Sequence, residues 1–153
     1  MKVKIFVYDF DGVMTNNKVY VDQNGNETVR VNRADGLGVS EIKKLGIEQI
    51  IISTEKNPVV MKRATKLNIK CLQGIENKKS TLIDYHKKHK IEPSTICYVG
   101  NDINDFGAMS ICGFRFCPSD ASDEIKKIST HILQAKGGDG VIREIFDYIK
   151  EIV

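Results

Sequence analysis

Three short strand-like runs in this chain stop at residues that can do chemistry, and this placement constrains the fold more than any other feature. Val3–Tyr8 stops at Asp9, Glu48–Ile52 stops at Ser53, and Thr95–Val99 runs into Gly100-Asn101-Asp102. Short apolar runs bounded by turn residues read as strands buried on both faces. Helical patterns alternate with them: Asp35–Leu45 closed by Gly46, Pro58–Leu67 with Asn57 as its cap, Glu76–His89, Ile103–Ser110, Ala121–Ile128, and Val141–Ile152 after Gly137-Gly138. Lys70–Leu72 and Phe114–Phe116 read as further short strands. Strand and helix in alternation predict an α/β fold with a mostly parallel sheet. The exception is Lys18–Val21 and Thr28–Val31 around Asp22-Gln23-Asn24-Gly25-Asn26, where Asn-Gly signals a β-hairpin. With 153 residues and no linker or repeat, the expectation is one domain spanning 1–153, the hairpin at about 18–31 being its only insertion.

Charge and composition exclude several classes. The net charge of +3 comes from scattered basic residues without interleaved aromatics, so nucleic acid is not an expected partner. No apolar run approaches a membrane span, and residues 3–8 are too short for a leader. Cys71, Cys97, Cys112 and Cys117 form no C-x-x-C pair; Cys71 and Cys97, in apolar runs, read as small core residues. A reduced, cytoplasmic protein is expected.

In an open parallel sheet, ligands bind beyond the carboxyl ends of the strands. Asp9 and Asp11, Ser53, and Asp102 and Asp105 should therefore converge on one edge. Asp9-Phe10-Asp11-Gly12 alone could be turn chemistry, and Asp102 with Asp105 alone could be a helix cap. Two acidic clusters at two strand ends together suit a hard cation with oxygen ligands, magnesium above all.

Asp9-Phe10-Asp11-Gly12-Val13-Met14-Thr15, then Ser53, Lys78 and Gly100-Asn101-Asp102-x-x-Asp105, resemble in order and spacing the motifs of the haloacid dehalogenase superfamily of phosphatases. The resemblance implies a Rossmann-like three-layer fold. It makes Asp9 the nucleophile that forms an aspartyl-phosphate, and Asp11 the general acid and base. Magnesium would be held by Asp9, Asp11 and Asp102, and the phosphoryl group by Ser53 and Lys78. Asn101 and Asp105 would stand behind them; Asn101 replaces a common Asp, which leaves residue 101 or 102 as the direct metal contact, with Asp102 favoured. A bland reading stands beside each: a strand-end serine for Ser53 and a solvated helix lysine for Lys78.

The chain has no room for a cap domain, leaving the hairpin as a flap. Arg33-Ala34-Asp35-Gly36-Leu37-Gly38 and Gly137-Gly138-x-Gly140-Val141-x-Arg143-Glu144 resemble the capless branch that acts on eight- and nine-carbon keto-sugar acid phosphates. Octulosonate enzymes typically read Thr-Gly-Arg where this chain has Ser53-Thr54-Glu55. The nononate and sialate 9-phosphate group resembles it more closely and implies Arg33, Thr54, Glu55, Arg63 and Lys66 as substrate-binding residues. Alternatives are 3-deoxy-manno-octulosonate 8-phosphate, a broader range of sugar phosphates, and a non-catalytic module linked to an acylneuraminate cytidylyltransferase. Response-regulator receivers share an acidic cluster and a lysine, but need no residue of the Asp11 kind. The branch implies a homotetramer, and the valine-rich hairpin is expected to pack against other subunits.

Overall fold

The computed structural model describes residues 2–152. Strand β1 (Ile5–Tyr8) leads through a ribbon of β2 (Tyr20–Val21) and β3 (Glu27–Thr28) into α1 (Arg33–Lys44). Then come β4 (Glu48–Ile52), α2 (Val59–Leu67), β5 (Lys70–Leu72) and α3 (Lys78–Lys88). The second half runs β6 (Ile96–Val99), α4 (Ile103–Met109), β7 (Phe114–Cys117), α5 (Asp123–Ile128), β8 (His131–Ile132) and α6 (Val141–Ile149). Six strands form one sheet in the order β5-β4-β1-β6-β7-β8, and every described pair is parallel.

Alternation along β1 builds three layers. Phe6 and Tyr8 face a core with Val39, Val60, Ala64, Ile142 and Ile145, which places α1, α2 and α6 on that side. Ile5 and Val7 face Leu82, Ala108, Met109 and Ile125, from α3, α4 and α5. Both faces of the central strands are dry, which explains their unbroken apolar sequence. β4 and β6 flank β1 on opposite sides, so the chain reverses its winding there and a crevice opens beyond the strand ends.

The expected α/β architecture is present, with local differences that side-chain chemistry explains. α3 begins at Lys78, not Glu76, because the Asn77 side chain accepts the Ser80 N–H at 2.9 Å. Asn57 accepts the Val59 N–H at 3.0 Å, so α2 starts one residue past Pro58. α5 starts at Asp123 and α6 stops at Ile149. β8 was not expected: it has two residues, too few for a periodic signal. The hairpin ladder is shorter than expected, since Asp22 takes the N–H groups of Asn24 and Asn26 at 2.8 and 3.0 Å and closes the turn through its side chain. Val29 and Val31 pack on this chain's own core, whereas Val19, Tyr20 and Val21 are exposed. The four cysteines are free thiols, three of them buried. Among the described residues no helix is long and apolar enough to cross a membrane.

α1 and α6 are joined by a buried carboxylate. Asp35 Oδ1 accepts the N–H groups of Ile142 and Arg143, at 2.9 and 3.3 Å, where α6 begins. Its Oδ2 is buried with no partner among the described residues. Burial pushes Asp35 up to about 6, and the two N–H donors only partly oppose this. The folded chain thus holds this proton more tightly than the unfolded chain. The stabilisation is complete below about pH 4 and is lost as pH rises through about 6. Wild-type stability relative to Asp35→Asn should fall by on the order of 2–3 kcal/mol between about pH 4 and about pH 7 in urea titrations. A pH-independent difference would show that Asp35 does not titrate in this range.

Candidate active site

Each chemistry-bearing side chain sits where an element ends. Asp9 is the first residue past β1, and its N–H donates to the Val99 carbonyl at 2.9 Å, continuing the ladder with β6. Ser53 is the first past β4, with its N–H on the Leu72 carbonyl at 2.9 Å. Lys78 opens α3, and Asp105 lies in the first turn of α4.

At the centre is a buried charge cluster. Lys78 Nζ lies 2.8 Å from Asp9 Oδ1 and 2.8 Å from Asp105 Oδ1. The Lys78 side chain is 1% exposed, so it is not the solvated helix lysine of the bland reading. Asp105 accepts four donors. Lys78 Nζ and the Tyr98 hydroxyl, at 2.9 Å, reach Oδ1; the N–H groups of Asn101 and Asp102, at 3.0 and 3.4 Å, reach Oδ2. Asp9 Oδ1 also accepts the Phe10 N–H at 2.7 Å. Burial pushes Asp9 well above the usual carboxylate range and the Asp105 charge adds to it; Lys78 and the Phe10 N–H pull the other way. Burial works against the Lys78 charge, but Asp9 and Asp105 outweigh it and hold the ammonium above the usual lysine range.

Above the cluster lies a cavity of about 260 Å³ lined by Asp9, Asp11, Ser53, Thr54, Asn101 and Asp102, among others. Asp11 is half-buried. Burial raises its carboxyl, the Thr15 hydroxyl draws it back, and the Glu55 charge raises it again. A raised, partly hydrated carboxyl suits proton transfer in both directions. The Ser53 hydroxyl accepts the Glu55 N–H at 3.1 Å, which leaves its hydrogen for a ligand.

The oxygens that converge in this cavity fit a small hard cation. One terminal atom of the Asn101 carboxamide lies 2.9 Å from Asp9 Oδ2 and 3.0 Å from the Asp11 carbonyl oxygen. Two orientations suit these acceptors: the amide nitrogen donating to both, or the amide oxygen turned to share a cation with them. Neighbouring oxygens around octahedral magnesium lie about 2.9 Å apart, given bonds of about 2.0–2.1 Å. Asp102, favoured from the sequence as the direct contact, instead accepts the Ile103 N–H at 2.7 Å and caps α4 in a capping box with Asp105. Asn101 is thus the side chain placed against Asp9 and the Asp11 carbonyl, although Asp102 also lines the cavity. Among the described residues no three His, Cys, Asp or Glu side chains form a ligand cluster. The set is one carboxylate, one carbonyl and one carboxamide, and magnesium, which keeps several waters, tolerates so sparse a set.

Not every expected residue is here. Arg33, Arg63 and Lys66 line a separate cavity of about 420 Å³ between α1 and α2. Arg63 Nη2 donates to the Asn32 carbonyl at 3.1 Å. Glu55 is not among the residues that line either cavity: its Oε1 accepts the N–H groups of Lys56 and Asn57, while its charge reaches Asp11. Three residues escaped the sequence reading. Tyr98 is hidden in a buried strand, where its hydroxyl needed a partner. Asn17 lines the cavity at φ 66, a left-handed conformation that asparagine tolerates better than most residues. Thr15 stands at the end of the first motif with no role assigned to it from the sequence, and its hydroxyl donates to Asp11 Oδ1 at 3.1 Å.

Comparison with known proteins agrees with this geometry. Residues 13–145 match the family model of the haloacid dehalogenase-like hydrolases. The 3-deoxy-D-manno-octulosonate 8-phosphate phosphatase of Haemophilus influenzae is 30% identical over 148 residues, covering 96% of this chain and 82% of that protein. The structure of a Moraxella catarrhalis enzyme of the same name, in complex with magnesium, phosphate and a KDO molecule, superposes with a TM-score of 0.93 at 30% identity, over 98% of this chain and 87% of that one. A HAD family hydrolase from Streptomyces avermitilis gives a TM-score of 0.94 at 39% identity, over 96% and 84% of the two chains.

Removing the central ammonium should be costly. Lys78→Met leaves the Asp9 and Asp105 carboxylates facing each other with no cation between them. It should lower unfolding stability at neutral pH by about 3–5 kcal/mol in urea titrations. A loss below about 1 kcal/mol would mean the cluster is not charged as described.

Proposed function

The chain belongs to the haloacid dehalogenase-like hydrolases, and on that premise we propose that it is a magnesium-dependent phosphatase of an acidic keto-sugar phosphate, working through an aspartyl-phosphate on Asp9. The observation that carries this is the buried Asp9–Lys78–Asp105 cluster beneath a cavity edged by Asp11, Ser53 and Asn101. The Asp9 carboxylate attacks phosphorus as the phosphorus–oxygen ester bond breaks. The leaving alkoxide takes the proton of Asp11. Asp11, now ionised, takes a proton from water, which attacks the acyl-phosphate, releases phosphate and restores Asp9. The Ser53 hydroxyl and the third Lys78 N–H offer donors to the phosphoryl oxygens. Asp9 Oδ2, the Asp11 carbonyl and Asn101 Oδ1 would hold magnesium, with Asp102 beside them; when bound, the ion neutralises charge between carboxylates and phosphoryl group.

Two classes of sugar acid, eight-carbon and nine-carbon, compete as substrate. The curated relatives support 3-deoxy-manno-octulosonate 8-phosphate. The Ser53-Thr54-Glu55 run, with Arg63 and Lys66, supports a nine-carbon nononate or sialate 9-phosphate: two cations for the carboxylate and acceptors for hydroxyls. Since Arg33, Arg63 and Lys66 line a separate cavity, they would meet the sugar from a second copy of the chain. The exposed Val19, Tyr20 and Val21 of the hairpin support such an assembly, a tetramer by the branch resemblance.

Phosphate release from the two nononate-type 9-phosphates and the octulosonate 8-phosphate, with magnesium, with EDTA and with Asp9→Asn, tests the reading. EDTA and Asp9→Asn should each abolish release, and the ranking names the sugar. Release that survives either treatment would overturn the mechanism. Glu55→Ala should lower kcat/KM on the preferred sugar acid by about tenfold or more and leave 4-nitrophenyl phosphate within about threefold; equal losses would remove Glu55 from the sugar site. Sedimentation at micromolar concentration should show an oligomer, and a monomer would exclude the shared site.

A further inference from the structure

The hydrogen bonds of Thr15 have a direction. This residue is fully buried, and its hydroxyl has one hydrogen and two lone pairs. The Gly12 N–H donates to Oγ1 at 3.2 Å and the Asn17 N–H at 3.1 Å, which occupies both lone pairs. The one hydrogen is left for Asp11 Oδ1, at 3.1 Å. That oxygen is thereby fixed as an acceptor, and a proton on Asp11 must sit on Oδ2.

The loop that carries this arrangement is turned by its own bonds, the Met14 and Thr15 N–H groups donating to the Phe10 carbonyl at 2.8 and 3.2 Å, and it is also backed from outside. The segment before α6 lies flat against it. The Gly138 N–H donates to the Val13 carbonyl at 3.0 Å. A Cβ on Gly137 would stand 2.2 Å from the Gly12 carbonyl oxygen and 2.9 Å from that of Thr15; one on Gly138, at φ +78, would stand 2.6 Å from the Asn16 nitrogen. Only a backbone without side chains can approach so closely. This segment is itself anchored. Asp120 Oδ1 accepts the Gly137 N–H at 3.0 Å, and the Glu144 carboxylate accepts the N–H groups of Gln134 and Ala135 at 2.9 and 2.8 Å.

We propose that Thr15 is a positioning residue that directs the proton of Asp11 toward the leaving group, and that Gly137-Gly138 is the backbone clamp that keeps it there. The inference rests on Asp11 being the general acid, and goes beyond it by naming what aims the acid. Its signature is a dependence on the leaving group. A nitrophenolate leaves without a proton, whereas a phenolate gains from one. The ratio kcat/KM stops at the step in which the leaving group departs, so the later hydrolysis of the acyl-phosphate does not blur it.

The experiment measures kcat/KM for phenyl phosphate and 4-nitrophenyl phosphate, with magnesium, in wild type, Thr15→Val, Thr15→Ser and Gly137→Ala. Thr15→Val should lose about tenfold more on phenyl phosphate than on 4-nitrophenyl phosphate, out of the roughly 10²–10⁴ that a general acid supplies. Thr15→Ser, which keeps the hydroxyl, should restore the wild-type ratio within about threefold. Gly137→Ala, which displaces the loop without removing the hydroxyl, should show the same bias as Thr15→Val, and it carries the test if Thr15→Val fails to fold by circular dichroism. Equal losses on both esters, or no loss, would overturn the inference while leaving the phosphatase reading intact. Wild type with no magnesium-dependent release from either ester would overturn that reading, and the inference with it.

Discussion

The lysine buried between two carboxylates is the contact on which the rest of this structure depends. Asp9 ends β1, Lys78 begins α3, and Asp105 lies in α4 beside Tyr98 of β6. One ammonium thus registers the central strand against elements from both halves of the winding. Burying such a cluster is expensive, and well-packed apolar residues would often serve stability as well or better. Its presence at the strand ends therefore speaks for chemistry. It keeps a carboxylate in a dry place where solvation would otherwise blunt its reactivity.

Charge explains why the cavity above needs a cation. Asp9, Asp102 and Asp105 set three carboxylates, with the carboxyl of Asp11 beside them, against the single ammonium of Lys78. A phosphate monoester would bring further negative charge to the same place. One terminal atom of Asn101 lies within 3.0 Å of both Asp9 Oδ2 and the Asp11 carbonyl, the spacing that magnesium ligands have. With its amide oxygen turned there, the asparagine would offer a ligand without adding a further negative charge. Burial raises the Asp11 carboxyl, and the hydrogen bond from Thr15 draws it only partly back.

The parts of this design legible in the sequence are those fixed by chain direction. A parallel sheet places whatever follows its strands on one edge, so Asp9, Asp11, Ser53, Asp102 and Asp105 could be grouped without coordinates. Lys78 and Asn101 follow once the motifs are aligned in order. What could not be read depends on distances between remote segments. No local pattern says that Tyr98 turns its hydroxyl to Asp105, or that Asn101 rather than Asp102 faces Asp9, because capping chemistry at the start of α4 claims one of the two neighbours. Arg63 and Lys66 show the opposite case. Their spacing on α2 places them on a common face, but that face borders α1, and only the folded chain reveals that it lines a cavity that Asp9 does not share.

This separation divides the labour of the molecule. Chemistry is built by strand ends within one chain, on side chains whose positions the sheet dictates. On the proposed reading, selection would rest on helix faces and a ribbon that the sheet leaves free, with Arg63 and Lys66 in a cavity separate from the cluster. The segment from β8 to α6 belongs to the first group despite its distance along the chain. Through Asp120, Glu144 and Asp35 it is tied to the loop after β7, to α6 and to α1, and through Gly137 and Gly138 to the loop of Asp11. A carboxyl that must give and take a proton needs a fixed direction more than a strong bond, and a clamp of backbone against backbone, with no rotamer to relax, supplies that direction.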